Sequence, residues 1–196
     1  MEAKKTKTLW KSMRAGLTSG SGNIGPWKIG EWRTHKGHLS MCSAGFHASE
    51  RAIDAMTFVP CEILAVVEVK GKRLTQRDKQ CWQEMRVVRA YEWTKSDSVT
   101  LAIYAAERCI GNYEKKYPRD NRPRLAIKAA AAWLKNPTEA NMSAARSAAE
   151  SAARSAAESA AWSAESAARS AAWSAALDEI EVWLQARIKT LKQVTP

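Results

Sequence analysis

An α+β fold is predicted for this chain: a small mixed α/β unit at the N-terminus, then an all-helical unit with one long alanine-rich helix. Three observations carry the prediction. Glu62–Lys70 reads EILAVVEVK and Cys81–Trp93 is a second apolar, β-branched run, which is strand chemistry. After Trp93 the chain loses that texture and is paced by helix caps and prolines. Ser143–Leu177 then repeats a Ser-Ala-Ala-x unit, with one unit shortened at Ser163-Ala164-Glu165, and alanine is the best helix former.

The elements follow in order. Residues 1–22 read as a basic arm, loose or helical, ending in the Ser19-Gly20-Ser21-Gly22 linker. Residues 23–95 read as the small α+β domain. It opens with two short strands, Trp27–Thr34 and Leu39–Cys42, joined by a turn at Lys36-Gly37. Ser49 is placed to cap a short helix over Glu50–Met56. The strand Glu62–Lys70 is expected to close at Gly71, and the second long strand occupies Cys81–Trp93. Residues 96–196 read as the helical domain. Ser96 or Asp97 caps a helix stopped by Pro118, and Asp120 or Asn121 caps the next. Asn136-Pro137-Thr138-Glu139 opens the last helix, with Asn at the cap and Pro at the first helical position.

That last helix is expected to run to about Leu191, roughly 80 Å at 1.5 Å per residue. At about 100° per residue, Trp162, Trp173, Ile180, Leu184 and Leu191 fall within one apolar stripe. The stripe is expected to be buried, within a bundle or against a second copy of the chain.

Charge narrows the partners. The net charge is +11, and residues 1–93 hold 16 Lys and Arg against 9 Asp and Glu, an excess of +7. Such an excess favours an anionic partner. Cys42, Cys61, Cys81 and Cys109 form no C-x-x-C pair, and Met1–Arg14 is lysine-rich without an apolar core segment. Reduced thiols and a cytoplasmic location are expected. No apolar run reaches membrane-spanning length, so no membrane partner is expected.

The chemistry-bearing residues are few. His35, His38, Cys42 and His47 have ligand-type side chains, but strand alternation across Leu39–Cys42 would scatter them, and no metal or cofactor is expected. Phosphate-loop, dinucleotide and hydrolase motifs are missing from the sequence. The Cys42–Ser49 segment places Gly45 at a turn, Phe46 in the core and His47 where it can face a cleft. Basic residues beside aromatics supply the other candidate. Arg33, Arg86 and Arg89 would hold a phosphate, and Trp32 or Tyr91 would offer a stacking surface. Arg119, Arg122 and Arg124, opening a helix, are a further phosphate candidate.

The run GFHAS, between a Cys-containing strand and a helix and followed by the valine-rich strand ending at Gly71, resembles a small domain of unknown function common in bacteriophage proteins. The resemblance covers residues 24–93. That family's motif usually reads GFHAC, and here Ser49 replaces the cysteine. YEKKYPRDNRPRLAIKAAAAWL and the alanine-rich repeats resemble the helical domain of immunity-type proteins, over Leu101–Leu184. Neither resemblance brings an established catalytic set. Together they imply a phage or prophage origin and an accessory role in countering or modulating host defence.

The leading expectation is a non-enzymatic, self-associating protein that binds a nucleotide, nucleic acid or host protein through Trp32, Arg33, His47, Arg86, Arg89 and Tyr91. The rival is an ADP-ribosyltransferase-like enzyme with His47 and Glu84 or Glu92 as polar site residues. A structural adaptor working through the long helix is a third class. A carboxylate facing His47 in a cleft would favour the enzyme; only basic and aromatic groups there would favour the binder.

Overall fold

The structure is a computed structural model that describes residues 6–20, 25–160 and 166–195, with side chains described outside 153–175. The expected burial of Trp162 and Trp173 lies outside the described residues. The chain divides into two units, Met1–Thr94 with Glu181–Pro196, and Lys95–Ile180.

The first unit is built on an antiparallel sheet. Its strands are β1 (Lys7–Met13), β2 (Arg33–Thr34), β3 (Phe46–Ala48), β4 (Ile63–Thr75) and β5 (Gln80–Glu92). They lie in the order β1-β4-β5-β2, with β3 also pairing β5. The basic arm is thus corrected: Lys7–Met13 is an integral strand, in register with Ile63–Val69 of β4. Its alternation, with Leu9 and Met13 buried, is a strand pattern that the neighbouring lysines obscure. A backbone pair between Trp10 and Ser49, each N–H 2.8 Å from the other's carbonyl, ties β1 to the end of β3. The path β1-β4-β5-β3 therefore returns to β1, which satisfies edge groups that a flat sheet would leave unpaired.

β4 and β5 form one long hairpin, closed where the Gln76 N–H donates to the Lys79 carbonyl at 2.9 Å. Gly71 does not end β4. The register steps from Lys70↔Glu84 to Arg73↔Trp82, so Gly71 and Lys72 together oppose Gln83. Gly71 has φ +86°, the left-handed backbone that a glycine-led bulge requires. A second bulge leaves Val88 unpaired between Val67↔Val87 and Val66↔Arg89.

Leu9, Met13, Val67, Val69, Met85 and Val87 form the core with Trp27, Phe46 and Trp82. Each such side chain contributes about 1.5–3 kcal/mol by leaving water. The expected strand over Trp27–Thr34 shrinks to Arg33–Thr34, because Trp27 turns into the core, edge-on to Phe46 with ring centroids 5.2 Å apart. Leu39–Cys42 is a turn instead of a strand: Ser40 and Ala44 exchange backbone hydrogen bonds of 2.9 Å around it. The expected helix over Glu50–Met56 is a single turn, α1 (Ala52–Ala55), and Ser49 does not cap it. Its free N–H groups are met from far along the chain by Glu181, whose carboxylate accepts from Ala52 and Ile53 at 3.0 Å each.

The second unit holds α2 (Lys95–Lys116), α3 (Arg122–Lys135), α4 (Glu139–Ala160) and the start of α5 (Ser166–Ile188). α3 packs against both α2 and α4. The alanine-rich region is helical on both sides of 161–165. Its start is two residues later than expected: Thr138 Oγ1 accepts the Asn141 N–H at 3.2 Å, while Asn136 ends α3. The α2–α3 connection is held by Asp120, which accepts from the Tyr113 hydroxyl at 2.7 Å and from the Arg122 backbone and guanidinium.

Candidate functional site

A pocket of about 230 Å³ opens in the first unit, beside the Cys42–Ser49 segment. The turn that builds its wall depends on two unusual backbone positions. Cys42 has φ +66° and Gly45 φ +109°. A Cβ at Gly45 would lie 2.5 Å from Cys81 Sγ and 2.7 Å from Leu39 Cδ2, so only glycine fits. The turn delivers β3, whose alternation sends Phe46 and Ala48 inward and leaves His47 half-buried. His47 Nε2 accepts the Cys42 backbone N–H at 2.9 Å. In the neutral ring the proton therefore sits on Nδ1.

Two lysines complete the wall. Lys11, from β1, donates through Nζ to the His47 carbonyl at 3.1 Å. Lys79, from the end of the hairpin loop, donates to Cys42 Sγ at 3.1 Å and lies over the Phe58 ring at 4.4 Å. Lys11 is half-buried, and burial lowers its pKa to about 8. Burial, then the positive charges of Lys11 and Lys79, also hold the His47 imidazole below its usual range. Among the described residues no Asp or Glu lines the pocket. The site is cationic, lightly polar, and without a carboxylate to act on the imidazole.

The six residues expected to form a binding patch are distributed differently. Register partners share a face, so Arg33, opposite Met85, lies on the core side, against the Trp27 ring at 4.8 Å and bonded to the Gly25 and Pro26 carbonyls. Arg86 lies on the other side, and the Val88 bulge brings Arg89 and Tyr91 onto that same side. Trp32 joins them, with the Arg86 guanidinium 5.0 Å and Lys70 Nζ 4.0 Å from its ring. Arg86 is already engaged by Glu68, at 2.9 and 2.6 Å, and Lys70 by Glu84 at 3.4 Å. Arg89 is exposed, and Tyr91 is half-buried beside Gln193. Glu84 and Glu92, the carboxylates of the enzyme reading, instead pair with Lys70 and Lys192. Of the six, only His47 lines the pocket.

Two of the three helix-opening arginines are likewise occupied. Arg122 is held by Asp120 and Arg124 by Glu114, the latter through bonds of 2.8 and 2.7 Å. His35 Nε2 faces the His38 carbonyl at 3.2 Å, and among the described residues no group of three His, Cys, Asp or Glu could hold a metal ion.

Residues 7–97 match the family model of a domain of unknown function, DUF7666. Residues 91–181 match a second model, described as an Imm-5 like putative immunity protein. The chain is thus similar to two families in succession, as the two resemblances in its sequence imply, and each match spans just under half of it. The pocket lies wholly within the first match. Comparison with curated proteins and with solved structures finds no match. No described helix is long and apolar enough to cross a membrane.

Lys11 and Lys79 are the residues that sequence reading missed. The signal for Lys11 was present as Leu9-x-Lys11-x-Met13, a lysine at the apolar beat of a strand. Lys79 carries no such signal, because only the hairpin register brings it to Cys42.

Proposed function

We propose that this chain is a non-enzymatic accessory protein of the immunity type. Its first unit captures a small anionic ligand, the phosphate end of a nucleotide or a smaller anion, in the pocket formed by Lys11, His47 and Lys79. Its alanine-rich helices carry the protein contacts, with another copy or a host factor. A phage or prophage setting, with a role against host defence, fits the likeness of residues 91–181 to immunity proteins.

The observation that carries the reading is the uncompensated lysine. Lys11 is half-buried, with a carbonyl as its hydrogen-bond partner and no carboxylate in the pocket wall. An enclosed ammonium is costly unless it is paired or loses its proton, and an anionic ligand supplies the missing charge. The volume of about 230 Å³ favours a small ligand over a nucleic-acid strand, which needs a groove that tracks its backbone.

Calorimetry on the full chain with nucleoside phosphates, inorganic phosphate and simple carboxylates tests this. One-site binding is expected. Lys79→Ala should weaken it about tenfold to a hundredfold, the loss of one charge-assisted hydrogen bond. Arg86→Glu combined with Arg89→Glu should leave it unchanged. Binding lost in the arginine pair but retained in Lys79→Ala would move the site to the sheet face around Trp32. No binding to any of these anions at low salt would reject the reading.

A further inference from the structure

We propose that Lys11 is an amine nucleophile that captures carbonyl compounds, forming an imine with an aldehyde that also carries an anionic group. This inference rests on the pocket reading above and adds to it the ligand's second functional group. The geometry divides the labour. Lys79 stands with Nζ against Cys42 Sγ and over Phe58, where its charge meets the ligand's anion. Lys11 stands on a central stretch of β1, held by the His47 carbonyl at 3.1 Å, with no carboxylate in the pocket wall to keep it protonated. A hydrogen bond from an amine N–H to that carbonyl leaves the nitrogen lone pair available to a carbonyl carbon entering the pocket.

The step balances without any further reactant. Lys11 first gives its ammonium proton to solvent. Its neutral nitrogen then adds to the carbonyl carbon, forming the C–N bond, and the carbonyl oxygen becomes a hydroxyl. The two amine hydrogens leave with that oxygen as water, and the C=N bond forms. Nothing is oxidised or reduced.

Of the groups facing Lys11, Cys81 favours its ammonium form, but burial of the amine outweighs it. His47 of β3 is held toward its neutral form, Cys81 of β5 has its thiol pushed up by burial, Lys79 is a like charge, and Cys42 is engaged by Lys79. The register partner on β4 is Ala65. With a pKa of about 8, Lys11 at pH 8 has about a hundredfold more neutral amine than an exposed lysine.

The test uses the full chain and pyridoxal 5′-phosphate, an aldehyde bearing a phosphate, followed by borohydride reduction and peptide mapping. One reduced adduct on Lys11 is expected, favoured over other lysines by about the hundredfold given by its amine fraction. An imine absorbance band should precede reduction, and labelling should rise as pH passes through about 8. Pyridoxal without its phosphate should label Lys11 far more weakly, as should the Lys79→Ala chain. Mapping of the wild-type chain decides the matter even where Lys11→Met does not fold. Label spread evenly over surface lysines would overturn the inference. Reversible competition by pyridoxal phosphate with inorganic phosphate, without an adduct on Lys11, would overturn it and leave the pocket reading standing. Neither adduct nor competition would overturn both.

Discussion

Glu181 offers the sharpest test of how the first unit is held together. Its carboxylate accepts two backbone N–H groups, from Ala52 and Ile53, at 3.0 Å each, and the Gln185 side chain at 2.8 Å. α1 is one turn long and has no side-chain cap of its own, so these are the bonds that satisfy its leading amides. Ala52 is fully buried, which denies its N–H a water partner once the carboxylate is gone. Bonds to charged groups contribute about 1.5–3 kcal/mol each, and an orphaned enclosed donor costs about 1–3 kcal/mol. Since Ile53 is only half-buried, its amide recovers some hydration, and Glu181→Ala should cost about 2–4 kcal/mol. Glu181→Gln keeps one acceptor oxygen and should lose about half as much. Urea unfolding of both variants measures the difference, and hydrogen exchange at the Ala52 and Ile53 amides reads it locally. A Glu181→Ala chain within about 0.5 kcal/mol of wild type, with both amides still protected, would refute the capping argument.

Four further outcomes are expected. Gly45→Ala should destabilise by more than about 2 kcal/mol, because its φ of +109° and the Cys81 Sγ at 2.5 Å leave no relaxed position for a methyl group; an unchanged melting temperature would contradict this. Lys11 has a folded pKa near 8, below the usual 10.5, so below pH 8 it opposes folding and the penalty is relieved as pH rises from about 8 to 10.5. Wild type should therefore gain about 3 kcal/mol relative to Lys11→Met across that window, read from paired urea melts, and parallel pH profiles would reject it. Asp120→Ala removes the acceptor for Tyr113 and Arg122 and should cost the helical unit about 2–3 kcal/mol, measured by loss of helical circular dichroism in urea. Light scattering should give a mass above the 21.7 kDa of one chain at tens of micromolar; a monomer mass would remove self-association from the proposed function.

Much of the architecture was legible because it is local. Glu62–Lys70 announces a strand by composition, and Pro118 and Pro137 bracket α3 through steric exclusion that needs no partner. The Ser-Ala-Ala repeat is helical on intrinsic propensity alone. The errors share the opposite cause. Lys7–Met13 looks like a basic arm until β4 lies beside it, and Gly71 looks like a strand end until Gln83 shows that it is a bulge. Leu39–Cys42 has strand-like residues, yet Ser40 pairs with Ala44 four residues on. In each case the deciding group lies across the sheet or across a turn.

The candidate site divides along the same line. The sequence alone determined that His47 follows a glycine turn, that the first half of the chain is basic, and that arginines and aromatics lie near one another along the strands. Tertiary structure decided which charges are free. It neutralised Arg86 with Glu68, Arg122 with Asp120 and Arg124 with Glu114, and it turned Arg33 to the face opposite Arg86. It also placed Lys11 against the His47 carbonyl and Lys79 against Cys42, partners 36 and 37 residues away. Sequence fixes how many charges there are and the periodicity with which they point. Which of them find a counter-charge depends on distances of a few ångströms between distant segments, and those exist only once the chain has folded.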